Sequence, residues 1–383
     1  MKITSFDAYP FRLPLRRDFR WASLEQQLGH FVFVEVHTDS GISGIGEAIP
    51  LPDWGGDHGR PGGETPGSVL DIIRGVIAPA LTGLDPTAIE AAHMAMDRVL
   101  RGHSYARCAV DIALHDILGQ VAGLPLYRLI GGAVRPCVQV AHMIGIMSTD
   151  DARDEARASC VDGISALQIK GGADPERDIA TVRAIREAVG PEVFLRLDAN
   201  QGYARAKQAA RVLSRMAGLL DMVEQPVADR AEMAALTAAS EIDVIADESC
   251  WDACDAIEIV RDRAADAISI YLAKAGGLAP ARRVAAVAMA AGLPCDVNGS
   301  LESGIGNAAN LHFALASPPV TLACVIPLNA PAGRLTSQVA GRYFEDDIIG
   351  EPLAVRDGQL LPPERPGLGI TLDRARLEQY RVG

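Results

Sequence analysis

Three acidic residues, each closing a short apolar run, constrain this chain more than any other feature. Asp198 ends Val193-Phe194-Leu195-Arg196-Leu197, Glu224 ends Leu219-Leu220-Asp221-Met222-Val223, and Asp247 ends Val244-Ile245-Ala246. The gaps between the three are 26 and 23 residues. Each gap holds one strand, one helix and two loops. Units of that length pair their strands in parallel, so the three carboxylates fall at the same end of neighbouring strands. Converging anions repel one another unless a cation lies between them, and oxygen-only ligands suit a hard ion such as Mg²⁺.

The alternation extends to both sides of this series. Strand-like runs begin near residues 137, 166, 193, 220, 243, 267 and 293, with helical runs such as 176–189, 204–217 and 279–291 between them. An α/β fold follows, and the number of units predicts a closed (β/α) barrel, with an open doubly wound sheet as the alternative. The beginning of the chain reads differently. Phe31-Val32-Phe33-Val34-Glu35-Val36-His37 alternates as a strand, Thr38-Asp39-Ser40-Gly41 turns, and Gly44-Ile45-Gly46-Glu47-Ala48 returns. Residues 51–66 are rich in Gly and Pro and read as a loop, and helices are expected near 67–81, 87–100 and 103–122.

Composition removes several function classes. Hydrophobic residues make up 49% of the 383 and charged residues 22%, the balance of a globular chain with a large core. A net charge of −13 argues against nucleic acid and anionic membranes as partners. No apolar run is long enough to span a bilayer, and the N-terminal residues lack the core of a signal peptide, so a cytoplasmic location is expected. Seven cysteines without metal-type spacing read as reduced, buried thiols, Cys250, Cys254 and Cys295 among them.

Barrel active sites lie at the carboxyl ends of the strands. Lys170 ends Ala166-Leu167-Gln168-Ile169, one unit before the carboxylate series, and shares a strand face with Gln168. A lysine beside a divalent cation and partly desolvated releases its proton more readily. It then serves as the base for a proton alpha to a carboxylate, while a cation holds the resulting charge.

Lys170, Asp198-Ala199-Asn200, Glu224-Gln225-Pro226, Asp247-Glu248-Ser249 and Leu301-Glu302-Ser303-Gly304-Ile305-Gly306 together resemble the muconate lactonizing enzyme subgroup of the enolase superfamily. The resemblance covers essentially the whole chain. It implies a modified TIM-type (β/α) barrel over residues 131–345, an N-terminal α+β capping domain over 1–130, and a C-terminal segment, 346–383, that returns to the cap. It implies Mg²⁺ on Asp198, Glu224 and Asp247, with Lys170 as the acid/base. Glu302 is expected near the substrate carboxylate, and 51–66 as a specificity loop. The substrate would be a small carboxylate and the product an isomer or cycloisomer, with dehydration of a hydroxy acid or acid sugar, epimerisation of an amino acid derivative, or metal binding without catalysis as alternatives. A homo-oligomer is the expectation from base rate alone.

Two departures from the family pattern stand out. Gln168 takes the place of the first lysine of Lys-x-Lys. Tyr271, in Ala267-Ile268-Ser269-Ile270-Tyr271-Leu272-Ala273-Lys274, stands where racemases and epimerases of the subgroup carry a second lysine. Lys274 lies an odd number of positions away, so on a regular strand it would face elsewhere. Epimerisation by two bases needs a donor on each face, and a phenol with a pKa near ~10 suits that task poorly. One-base chemistry is expected instead. Gln168, Asn200, His58 and Arg60 complete the expected substrate contacts, Arg60 as a partner for a second carboxylate. Glu248 reads equally as a partner to a metal ligand or as a structural hydrogen-bond group. His103 is expected to cap or pack, and His312 to lie in the core.

Overall fold

The computed structural model describes residues 1–22, 24, 28–55, 62–334 and 337–382. His58 and Arg60 lie outside the described residues. The chain opens with an antiparallel three-stranded sheet, β1 (Ile3–Arg12), β2 (His30–Thr38) and β3 (Ser43–Ala48), in the order β1-β2-β3. Helices α1 (Pro66–Ile72), α2 (Ala78–Leu81), α3 (Ile89–Val99) and α4 (Ser104–Ala122) follow, and a π turn at Ile73–Ile77 joins the first two where a plain helix was expected. Gly44 and Gly46 explain how α4 meets the sheet. A Cβ on either would collide with the carbonyl oxygen of Ala113 or Ala109, so only glycine lets the helix seat against β3.

A short helix α5 (Leu126–Leu129) leads into the strand–helix repeat: β4 (Val138–Gln139), β5 (His142–Ile144), α6 (Thr149–Val161), β6 (Ala166–Lys170), α7 (Pro175–Val189), β7 (Phe194–Asp198), α8 (Ala206–Ser214), β8 (Met222–Glu224), α9 (Arg230–Ala239), β9 (Asp243–Ala246), α10 (Ala253–Asp262), β10 (Ala267–Ile270), α11 (Leu272–Ala275), α12 (Leu278–Ala291), β11 (Cys295–Val297) and α13 (Gly304–Ala316). Strands β5 to β11 pair in parallel in chain order, giving one seven-stranded sheet. The parallel order bears out the expected α/β class, as a seven-stranded curled sheet. Residues after α13 reach both edges through isolated bridges, Val320 to Cys295 and Cys324 to Val140, but no eighth strand forms among the described residues. β12 (Val355–Arg356), β13 (Gln359–Leu360) and α14 (Arg374–Tyr380) end the chain.

The C-terminal segment touches both parts. β13 pairs with β4, while the guanidinium of Arg374 grips Glu35 of β2 with two hydrogen bonds, and the Leu368 amide donates to Asp116 of α4. Three buried carboxylates pin the remaining structure to the helices that follow the last strands. Asp111 of α4 accepts from the Leu278 amide at the start of α12 at 2.6 Å. Glu47 of β3 accepts from the amides of Ser303 and Gly306, at 2.8 and 2.9 Å, and from the Ser303 hydroxyl. Asp347 accepts from the Gly304 amide at 2.9 Å. Helix N-termini carry unsatisfied N–H groups and a positive dipole end, so an anion is the natural cap. Of the thiols expected inside, Cys254 is exposed at the first turn of α10 and Cys137 and Cys160 are half-buried, whereas Cys250 and Cys295 are buried.

Burial pushes the Glu47 carboxyl up to about 8, against the pull of Ser303 and Gly306. A carboxyl raised by folding stabilises the fold most below its unfolded range and loses that contribution as pH rises towards the folded value. Stability is therefore expected to fall between about pH 4.5 and about pH 8, and Glu47→Gln to flatten that slope in urea titrations across the interval. Glu47→Ala, which strands two buried amides, should cost about 1–3 kcal/mol at pH 6 in the same measurement.

Candidate active site

Parallel pairing sets the site's geometry before any side chain is placed. Lys170 pairs with Asp198, and Asp198 with Glu224, across β6, β7 and β8. Glu224 pairs with Ile245, which puts Asp247 two residues further along, at the end of β9. The three carboxylates thus form an arc over adjacent strand ends. Lys170 flanks it on the β6 side and Tyr271 on the β10 side. The loops here carry backbone strain. Asn200, Gln201, Gln225 and Leu301 all adopt positive φ without being glycine, a feature that concentrates at functional sites.

All three carboxylates are fully buried. Asp198 Oδ2 accepts from Lys170 Nζ at 2.5 Å and from Gln168 Nε2 at 3.3 Å. Glu224 Oε2 accepts from the same Gln168 amide at 2.8 Å and faces Arg196 Nε at 3.1 Å, while its Oε1 accepts from Asn298 at 3.3 Å. Asp247 Oδ1 accepts from Lys274 Nζ at 2.5 Å, and its Oδ2 has no partner. Gln168 therefore bridges two candidate ligands as well as lining the cavity. Arg196 lies deeper and spans the sheet interior to Asp296 on β11 at 2.5 Å.

The donor set fits a hard divalent cation. Every candidate ligand is a buried carboxylate, and one oxygen, Asp247 Oδ2, lacks any other use in the fold. Their oxygens are at present shared out among Lys170, Gln168, Asn298, Arg196 and Lys274. Among the described residues the acidic set whose ligand atoms lie within 4.8 Å of one another is a different one, Asp7, Glu35 and His37 on β1 and β2. There Glu35 is taken by Arg374, and the other two hydrogen-bond each other at 2.9 Å. The groups of that cluster are thus already taken up by hydrogen bonds, and the buried arc has the better chemistry for a metal.

Burial lowers the pKa of Lys170, but the Asp198, Glu224 and Asp247 charges outweigh it and hold the ammonium above its ordinary value. The sequence-based expectation of a readily released proton needs a cation to neutralise those carboxylates. The Tyr271 hydroxyl is raised well above 10 by burial and by Asp247, Glu224, Asp198 and Glu248.

Lys170 and Tyr271 line one small cavity with Gln168, Asn200, Trp21 and Trp54. Its free space, about 20 Å³, holds about one water. Glu302, expected near the substrate, faces a separate small cavity with Glu47, Tyr105 and Asn310. Burial raises it to about 7, and its Oε1 accepts from the Ser300 amide. His103 starts α4 with left-handed φ and no side-chain cap bond, lying 3.6 Å from Glu64. His312 is a core residue joining the Tyr127 amide to the Leu368 carbonyl.

Sequence reasoning missed four contributors. Lys274 does not face elsewhere. β10 stops at Ile270, the next residues form the turn α11, and the ammonium folds back onto Asp247 and lies 4.4 Å from the Tyr271 ring centroid. The rule of alternation failed because the strand had ended. Arg196 was legible as a charge sharing the Asp198 face of an apolar strand. Trp21, 5.1 Å over Lys170 Nζ, and Asn298 come from loops and carried no signal.

A curved parallel sheet thus carries a lysine and three buried carboxylates at its carboxyl end. Residues 9–131 match the mandelate racemase / muconate lactonizing enzyme N-terminal domain, and residues 151–376 match the enolase C-terminal domain-like family. The chain belongs to this family, whose similar members are isomerases. It is 30% identical to an N-succinyl-L-Arg/Lys racemase of Bacillus cereus, covering 100% of this chain and 98% of the relative. It is 31% identical to muconate cycloisomerase 1 of Rhodococcus opacus, over 97% and 96% of the two chains. The crystal structure of an Enterococcus faecalis dipeptide epimerase, complexed with Mg and the dipeptide L-Leu-L-Tyr, superposes with a TM-score of 0.87 at 32% identity, covering 97% of this chain and 100% of that one. Among the described residues no helix is long and apolar enough to cross a membrane.

If the buried arc is the metal site, Mg²⁺ at about 100 times its Kd should stabilise the fold by about 2.7 kcal/mol. Thermal melts with and without Mg²⁺ measure this, and Asp247→Asn should remove most of the gain.

Proposed function

We propose that the chain is a Mg²⁺-dependent one-base enzyme acting on a small carboxylate, with Lys170 transferring the proton alpha to that carboxylate on one face only. The observation that carries the reading is the pair flanking the arc, an amine at Lys170 on one side and a phenol at Tyr271 on the other. Asp198, Glu224 and Asp247 would hold the metal, which supplies positive charge against the carboxylate as its alpha proton leaves. Lys170 reaches Asp198 and Asn200, at 2.5 and 3.3 Å, and these contacts fix its ammonium over the cavity. Gln168 orients the Asp198 and Glu224 carboxylates, and Trp21 and Trp54 exclude water. A phenol, with an ordinary pKa of ~10, exchanges protons poorly near neutrality, so inversion at the alpha carbon lacks its second base.

One-face chemistry suits addition or elimination across the Cα–Cβ bond. In cycloisomerisation an oxygen of the substrate itself adds at Cβ while Lys170 returns a proton at Cα, and elimination of water is the same movement in reverse with hydroxide as the leaving group. Cycloisomerisation is the reading put forward, and dehydration is its nearest relative. His58 and Arg60 are proposed contacts for the distal end of the substrate.

Proton NMR in D₂O with Mg²⁺ and a pooled set of small carboxylates tests the reading. Deuterium should enter alpha to the carboxylate with retention, or accompany ring closure or loss of water. Lys170→Ala should slow it by about 10²–10⁴-fold. Tyr271→Phe should retain exchange within a few-fold. Inversion at the alpha carbon by the unaltered protein would restore the racemase reading.

A further inference from the structure

The chain has three tryptophans among 383 residues, and all three gather at this site. Trp21 and Trp54 line the cavity with Tyr271. Trp251 backs Trp54 at 5.3 Å between ring centroids, and Trp54 meets Tyr271 at the same separation. Such rings present negative faces, and two of them already host ammonium groups, Trp21 that of Lys170 and Tyr271 that of Lys274.

Charge on the polar side points the same way. Glu248 is 1% exposed. Its Oε1 accepts from Trp54 Nε1 at 3.3 Å and from Asn200 Nδ2 at 3.1 Å, both of them cavity-lining residues, and its Oε2 has no partner. Among the described lining residues Lys170 is the sole cation. A second anionic group placed beside Trp54 and Asn200 would approach Glu248 and find, among the described lining residues, no cation but Lys170. A plain alkyl group would leave Oε2 without a donor, a costly state for a buried oxygen. A cationic nitrogen bearing a hydrogen satisfies both features, its charge against the ring faces and its N–H on Oε2.

We infer that the substrate is a zwitterion: a small carboxylate carrying a secondary or tertiary ammonium, as in a cyclic or N-alkylated amino acid that also bears the Cβ hydroxyl or Cα–Cβ double bond the one-base reaction needs, with the nitrogen held between Trp54, Tyr271 and Glu248. This rests on the reading of Lys170 and the carboxylate arc as the reacting centre, and it adds the chemistry of the substrate's other end.

The tryptophans supply the readout, since intrinsic fluorescence comes from this site. The Mg²⁺-loaded protein is titrated with proline and N-methylproline, with cyclopentanecarboxylate as the uncharged-ring counterpart of similar shape, and with glutarate as a diacid. The ammonium acids should bind about fivefold or more tightly than cyclopentanecarboxylate, the strength of one cation over aromatic faces. Trp54→Leu and Glu248→Gln should each bring the ratio towards one. If Trp54→Leu does not fold, the ratio in the unaltered protein decides alone. Equal binding of the ring pair, or tighter binding of glutarate, overturns the inference. Failure of every acid to bind in the presence of Mg²⁺, or alpha-exchange that survives Lys170→Ala, overturns the underlying reading of the centre instead.

Discussion

Electrostatic repulsion among buried carboxylates is the constraint on which the rest of this structure depends. Asp198, Glu224, Asp247, Glu248 and Asp296 all lie at or below the carboxyl end of one sheet, with at most 1% exposure. Lys170, Arg196 and Lys274 answer them at hydrogen-bond distance. Three cations answer these five buried acids, and a divalent ion, if Asp198, Glu224 and Asp247 hold one, would add to them. Burying unmatched carboxylates is expensive, and Glu224 and Asp247 are both shifted upwards by burial and by their acidic neighbours. A fold that places so much like charge in its interior has stability spent on something other than packing.

The N-terminal sheet and its helices serve the same end from outside. Glycines 44 and 46 seat α4 on β3, which brings Glu47 and Asp111 to the first turns of α13 and α12. Those helices follow directly on the strand ends that carry Asn298 and Tyr271. The loop holding Ser300 and Glu302 is thus gripped from one side by Glu47 and from the other by Asp347, and its freedom is small for a loop at an active site.

Much of this was legible in the sequence because periodicity reports it directly. The runs ending at Lys170, Asp198 and Glu224 are strands closing on those residues, as their patterns required, while β9 stops at Ala246, one residue short of Asp247. The first hairpin and the three helices before residue 123 fell where alternation and helical spacing put them. The segment that meets both edges of the sheet did not read out as a strand, because Val320 and Cys324 make isolated bridges to Cys295 and Val140 in place of a ladder. The roles of Lys274 and Trp21 were illegible for another reason. They depend on how a turn or loop folds back in space, and no local pattern encodes that. Glu302 was placed by family resemblance, and its neighbours here are Glu47 and Tyr105 rather than Lys170.

Lys274 does more than balance a charge. Its ammonium binds the backbone carbonyls of Asp247 and Ser269 as well as the Asp247 carboxylate, tying the end of β9 to β10 as a crossbar ties two rails. The backbone at position 271 is therefore fixed by a neighbour and not by its own side chain. Position 271 behaves as a socket: whatever side chain it carries is presented opposite Lys170 from the same place. If Lys170 serves one face of the substrate, a change of the single side chain at 271 would alter the stereochemical course of the reaction without rebuilding the carboxylate arc.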